Sequence, residues 1–385
     1  MMLTPRRRRT PLHALVVACL LPNAASFLST DGSFRPTTSR ESVRRSSSTE
    51  SDFDVSSLLY QEHEKMLVDR GKLEGELMAH HTSSIEPNIV KGSGGGGGFG
   101  GTGGTTKSQL KAQGKAHAKV LRQDGVVRID NVLPGSLADE MREFVVELRQ
   151  DSHEQVSSGK LKSRERYADV LLKENRCDLT LPLTNQLTAD CLAAVLQQSP
   201  VGETVANLLT KDAVLYELSC LTSDPGSHRQ VMHPDTPCAG DDDDPVLYTC
   251  FVALQDIQLD MGPTTWMPGT HTLEAHEQFK DETVSSSETK SPKDTLLEKG
   301  PVVLGLLPKG SCGIFDSRLL HCGGANTSAD NKSRAVFYFS WKNPRDQCGQ
   351  SRKYSAGIHQ SIHSPSIGQG VEKACQGQIK AVCQR

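Results

Sequence analysis

The sequence predicts an α+β fold, with helices in front of a double-sheet β core and a long low-complexity region ahead of both. Two observations lead there. From Val214 onward, six short apolar runs (Val214–Leu221, Val246–Ile257, Thr264–Met267, Val302–Leu306, Gly313–Leu320 and Ala335–Trp341) are separated by Pro, Gly and Asp. Short strands with turn signals between them are the pattern of a β-sandwich or barrel. Ahead of them the apolar spacing is helical, and helices followed by strands make an α+β chain.

The elements follow in order. Arg6–Arg9 are basic, His13–Leu21 form a short apolar run, and Asn23–Ser26 supply small residues. That is the layout of a secretory signal peptide, residues 1–26, and it is too short to span a bilayer. Residues 27–50 are rich in Ser, Thr and Arg, with Asp31 and Glu41 the only acidic residues before Glu50. Together the two segments resemble a bipartite plastid presequence, the alternative being a secretory signal ahead of a linker. Residues 51–90 hold a possible helix carrying Leu58, Leu59, Met66, Leu67, Leu73 and Leu77. Residues 91–107 are glycine-rich and predict a flexible linker. Within that run, Gly101–Ser108 lacks the Gly before Lys that a phosphate loop needs, and no apolar strand precedes it.

A folded domain is expected over 108–345. Lys111–Gln123 predicts a helix, Gly125–Ile129 a strand, and Ser136–Arg149 an amphipathic helix with Ser136 as its N-cap. Ala189–Leu209 predicts a helix split at Ser199–Pro200. Residues 346–385 form a tail with no reading of their own, although Cys375 and Cys383 are near enough in sequence to bridge. The eleven cysteines have no CxxC pair, which suits mostly free thiols in a core this large. A formal charge of −3 leaves no basic footprint for nucleic acid, and no apolar run is long enough for a transmembrane helix.

Three residues carry the expected chemistry. In His233-Pro234-Asp235, a strand would turn positions i and i+2 to one face, bringing an imidazole and a carboxylate together. His321, closing the run that begins at Gly313, is the best third ligand. Two His and one carboxylate cover one face of Fe(II) and leave positions open for a chelating 2-oxo acid and O₂. Arg334 follows at the start of the next strand, sharing a face with Val336, Tyr338 and Ser340. Its planar fork suits the distal carboxylate of 2-oxoglutarate, and a buried Arg without such a partner would be costly.

Other residues have plainer readings. His271 and His276 are an alternative pair, with His271 expected to stabilise its turn; His228 and Asp241–Asp244 are expected on solvated loops, and Trp266 in the core.

Several motifs from Gly125 to Pro344 resemble the phytanoyl-CoA dioxygenase family of Fe(II)/2-oxoglutarate oxygenases. They are DGVVRIDNVLPG, MHPDT, MGPTTWMPGTH, LPKGSCGIFDSRLLHCGGAN and SRAVFYFSW. The resemblance implies a double-stranded β-helix of the jelly-roll or cupin-like kind and hydroxylation of a small-molecule or lipid-like substrate. It also implies iron on His233, Asp235 and His321 and co-substrate on Arg334. Phe251 falls where some members place a Trp near the co-substrate, and Gly323 where a small or hydroxyl residue often follows the distal His. A carboxylate at Asp235 sets the chain apart from related halogenases, which have a small residue there. The alternatives at this point are a catalytically silent β-barrel and a cupin-like metalloenzyme independent of 2-oxoglutarate.

Overall fold

Helix α1, Val55–Leu77, begins the described part of the computed structural model. The structure describes residues 55–343 apart from residues 82, 89–104, 169, 171, 211–212, 239–244, 246, 285–288 and 330–331. The signal-like and transit-like segments, most of the glycine run, Asp241–Asp244 and the tail with Cys375 and Cys383 lie outside the described residues.

Next come α2 (Lys107–Asp124), β1 (Val126–Ile129), α3 (Gly135–Ser157), β2 (Arg176–Thr180), α4 (Gln186–Gln197), α5 (Val201–Leu209), β3 (Val214–Ser223) and β4 (Leu247–Ala253). The chain continues through β5 (Thr264–Trp266), α6 (Leu273–Lys280), α7 (Pro292–Lys299), β6 (Val303–Leu304), β7 (Cys312–Asp316), β8 (His321–Gly323) and β9 (Arg334–Lys342). Two antiparallel sheets result: a main sheet in the order β1-β7-β4-β9-β3-β2 and a minor sheet in the order β6-β5-β8.

The main sheet has two unlike faces because side chains alternate along each strand. One face packs Ile129, Leu179, Leu218, Val252, Ile314, Phe337, Phe339 and Trp341 against Leu121, Met141, Leu192 and Val205 of the helices. Each large side chain removed from water there contributes about 1.5–3 kcal/mol. The other face meets the minor sheet through a smaller cluster in which Val126, Phe315, Val336 and Tyr338 pack with Trp266. A third cluster, behind the minor sheet, joins Met78 to Met232, Met267, Leu297 and Leu320.

Local chemistry sets the element ends. A capping box between Thr106 and Gln109 starts α2, four residues ahead of the sequence expectation, and Gly125 ends it at φ 75°. A Cβ at Gly125 would stand 2.6 Å from the His271 ring and from Leu319, so only glycine fits there. Asn185 caps α4 through Thr188 N, and Pro200 opens α5 after the expected split. Ser136 is not an N-cap: the cap of α3 is Pro134, with no side-chain hydrogen bond, and Ser136 already lies inside the helix.

The folded unit also begins earlier than Ser108. Ile85 N donates to Leu304 O at 2.9 Å, Leu304 N to Ser83 O at 2.9 Å, and Pro87 bridges Arg128 of β1. The apolar run Gly313–Leu320 is not one strand either. Asp316 ends β7 by accepting from Arg318 N and Nε, both at 2.9 Å. The turn so formed carries the chain from the main sheet to the minor one, so His321 opens β8 instead of closing β7. Strand β2 and helices α6 and α7 had no counterpart in the sequence reading. The described cysteines are free thiols, all buried except the half-buried Cys177.

Candidate metal centre

His233 and His321 face each other across an isolated antiparallel bridge. His233 N donates to His321 O at 3.0 Å, and His321 N returns the bond at 2.9 Å. This bridge sets their ring centroids 4.7 Å apart. Asp235 is not in a strand with His233, contrary to the i, i+2 expectation. It occupies a bend pinned by the β7–β8 turn, where Asp235 N and Thr236 N both donate to Ser317 O, at 2.8 and 3.0 Å. A hydroxyl contact of 2.7 Å between Thr236 and Ser317 tightens the bend. The outcome is the expected constellation by a different route: one ligand atom from each of His233, Asp235 and His321 lies within 4.8 Å of the others.

The donor set fits a metal in its protonation as well. His233 Nδ1 lies 2.8 Å from Val231 O and His321 Nδ1 lies 2.9 Å from Leu319 O. A backbone carbonyl can only accept, so each ring holds its proton on Nδ1 and offers the Nε2 lone pair. Asp235 Oδ1 stands 3.7 Å from His321 Nε2 with its side chain one-third exposed, while the His321 side chain is nearly buried. The inner wall beside them is aromatic: the Phe315 ring is 4.8 Å from the His321 ring.

Beyond Gly323, at the near end of β9, lies a second charged feature. Arg334 is 1% exposed. It donates to Gly262 O and to Ser223 Oγ, and its Nε has no partner. Arg176, on β2, is also buried and donates to the same Ser223 Oγ at 2.7 Å, to His228 O and to Gly324 O. Neither guanidinium meets a carboxylate among the described residues. Burial, together with the adjacent Arg176 charge, pulls Arg334 down to about 9, and burial pulls Arg176 down to about 10. Two desolvated cations side by side, with no carboxylate between them, favour an anion beside them. A Cβ at Gly323 would lie 2.8 Å from Arg176 Nη1 and 2.7 Å from Gln230 Oε1, so the missing side chain is what lets Arg176 and Gln230 approach β8.

Gly323 therefore lies against Arg176, whereas Phe251 is far from the arginines. Phe251 pairs with Tyr338, four residues along β9 from Arg334 and so about 13 Å away at the rise of a strand. It lies instead edge-on to Phe315 and Tyr338, at 5.0 and 5.5 Å between centroids. His271 binds Arg122 O and His276 binds Arg318 O, both as structural residues, while Trp266 is fully buried in the core. His228 is 40% exposed beside Glu174. Sequence reasoning missed Arg176, Ser223 and Gln230. Arg176-Cys-Asp-Leu-Thr180 does alternate polar and apolar residues, which was the available signal.

A model of the phytanoyl-CoA dioxygenase (PhyH) family matches residues 121–336, a little over half of the chain. The chain belongs to the phytanoyl-CoA dioxygenase family. That span takes in the three candidate ligands, Arg176, Gly323 and Arg334. Iron and 2-oxoglutarate are the cofactor and co-substrate of this family of oxygenases, and the His-Asp-His cluster is a set able to hold the metal. No curated protein matches the chain. Among solved structures, the non-heme alpha-ketoglutarate-dependent carbocyclase SnoK from nogalamycin biosynthesis is 19% identical. The match covers 63% of this chain and 87% of that one, at a TM-score of 0.44. The epimerase SnoN, in complex with Fe3+, alpha ketoglutarate and nogalamycin RO, is 18% identical over 60% and 84%, at 0.40. The non-heme monooxygenase ThoJ, as a nickel complex, is 15% identical over 70% and 96%, at 0.42.

Proposed function

We propose that this member of the phytanoyl-CoA dioxygenase family is an Fe(II)- and 2-oxoglutarate-dependent hydroxylase of a small molecule. Its two sheets are read as a double-stranded β-helix. The observation that carries the proposal is the pairing of two Nε2 atoms and the Asp235 carboxylate with a buried, anion-seeking arginine pair, of which Arg176 lies against Gly323 and Gly324, just beyond His321. A metal site alone would not need Arg334 and Arg176 left without carboxylates. When bound, iron in this setting supplies O₂ activation coupled to decarboxylation of 2-oxoglutarate, giving succinate, CO₂ and a hydroxylated product.

The chain's own residues do the rest. Val231 O and Leu319 O hold the imidazole protons on Nδ1. Ser317 O holds Asp235 in place. Arg334 and Arg176 would clamp the distal carboxylate of the co-substrate in fork geometry. Phe315, Phe251 and Trp266 form an apolar wall that excludes water from the reacting centre.

The test is anaerobic addition of Fe(II) and then 2-oxoglutarate to the full chain. A visible charge-transfer band is expected, and it is expected to vanish in His233→Ala. A protein that holds iron yet gives no band would overturn the co-substrate reading. Delivery to a plastid is proposed on the amino-terminal sequence, and a fluorescent fusion of residues 1–60 that reaches only the secretory pathway would refute it.

A further inference from the structure

The inner face of the main sheet carries a charge gradient. At one end of β9 stand the two arginines. At the other, Ser340 Oγ donates to Glu217 Oε2 at 2.7 Å. Between the ends, the Tyr338 hydroxyl donates to Asp178 Oδ2 at 2.7 Å and stands 3.4 Å from Glu217 Oε1. Asp178 and Glu217 are each 8% exposed. No Lys, Arg or His pairs with either among the described residues.

A pair of buried carboxyls is not a site by itself, but two further features point to a ligand. First, Asp178 Oδ1 is buried without any hydrogen-bond partner, although the Ser219 hydroxyl stands beside the same carboxyl. Buried polar atoms are normally satisfied, so an orphaned acceptor on the inner face of the main sheet marks a missing donor. Second, the backbone departs from regular pairing to bring Glu217 inside. Leu215 pairs with Trp341 and Glu217 with Ser340, so Tyr216 is an extra residue in β3. Without that bulge, Tyr216 would face inward and Glu217 the helices.

The pair also belongs to the metal centre's surroundings. The Asp235 charge reaches both carboxyls. Ring contacts run from Tyr338 through Phe251 and Phe315 to His321, with centroid steps of 5.5, 5.0 and 4.8 Å.

We propose that Asp178 and Glu217, aligned by Tyr338 and Ser340, form a substrate subsite for a cationic nitrogen. The molecule oxidised would then be a small amine or similar base, and not an anionic acyl thioester. This rests on the oxygenase reading for its purpose and on the buried acidic pair for its chemistry. A protonated amine supplies the donor that Asp178 Oδ1 lacks and favours the ionised form of both carboxyls, whereas a carboxylate or phosphate would meet acceptors only. Arginines at one end and acids at the other would sort co-substrate from substrate by charge, with no change of shape.

The experiment is calorimetric titration of the full, metal-free protein with n-hexylammonium, hexanol and hexanoate at neutral pH. The ammonium is expected to bind at least tenfold more tightly than either analogue, and Glu217→Gln and Asp178→Asn are each expected to weaken it about tenfold. If Asp178→Asn fails to fold, Glu217→Gln and Ser340→Ala carry the comparison, with melting temperatures as the control. Equal binding of all three probes, no ammonium binding, or ammonium binding unchanged in the variants would overturn the proposal. The chelate band separates the two readings: a band without ammonium binding sinks this inference alone, and ammonium binding without a band sinks the oxygenase reading alone.

Discussion

The two faces of β9 are built from the same nine residues and obey different rules. Ala335, Phe337, Phe339 and Trp341 pack against the helices in a cluster that needs only volume and apolarity. Arg334, Tyr338 and Ser340 turn inward, where the structure keeps a cation and hydroxyls buried at a cost. One face holds the fold, and the other gives up stability for chemistry. The difference shows how a single strand can be legible as structure and still conceal a site.

That contrast can be broken by substitution. The largest effect on folding is expected from Phe337→Ala, about 3–5 kcal/mol, because the cavity it leaves cannot collapse between sheet and helices. Denaturant melts would check this, and a loss below about 1 kcal/mol would mean that the outward face is not the main core. Arg334→Met is expected to behave in the opposite way. Removing a buried cation that has no carboxylate partner should leave the melting temperature unchanged or raise it. The concentration of 2-oxoglutarate needed for half-maximal chelate absorbance should meanwhile rise at least tenfold. A variant destabilised as strongly as Phe337→Ala would place Arg334 among the structural residues.

A smaller effect concerns pH. In the fold, Asp178 is pushed up to about 7 and Glu217 to about 8, chiefly by burial, against ordinary values of 3.8 and 4.5. Between those limits the folded chain holds protons that the unfolded chain has released. Stability contributed by the neutral acids is therefore full below about pH 4 and is lost as the pH rises through 7 to 8. The Tyr338 hydroxyl, which bonds the pair and lowers both values, does not reverse the sign, and the Asp235 charge acts in the same direction as burial. Glu217→Gln should flatten the upper part of this decline, measured as the melting temperature at pH 5 and pH 9. Parallel curves for parent and variant would show that Glu217 is ionised in the fold.

What the sequence revealed follows the same division. The alternation of β9, the split at Pro200 and the three residues that cluster as candidate ligands were legible because apolar period, proline and residue type are local signals. The end of β7 was hidden because Ile314-Phe315 and Leu319-Leu320 read as one apolar run, and only the Asp316–Arg318 contact breaks it. Strand β2 was hidden because its inward residues are Arg176, Asp178 and Thr180, which a search for strands by hydrophobicity discards. The bulge at Tyr216 left no sequence signature, since it exists only relative to β9. The α6–α7 segment consists of two eight-residue helices with little apolar content.

The amino-terminal helix adds a consequence of its own. Glu74 of α1 is fully buried, pairs with Arg70, and accepts a 2.6 Å hydrogen bond from Met232 N, the residue before His233. Gly71 and Gly75 let that helix lie against the backbone and side chain of Arg229. The glycine-rich sequence that follows joins the helix covalently to the rest of the fold, so this docking is an intramolecular event that does not depend on protein concentration. Cutting the chain there would turn a fixed buttress into a second subunit. Occupancy of the metal centre would then depend on how dilute the protein is.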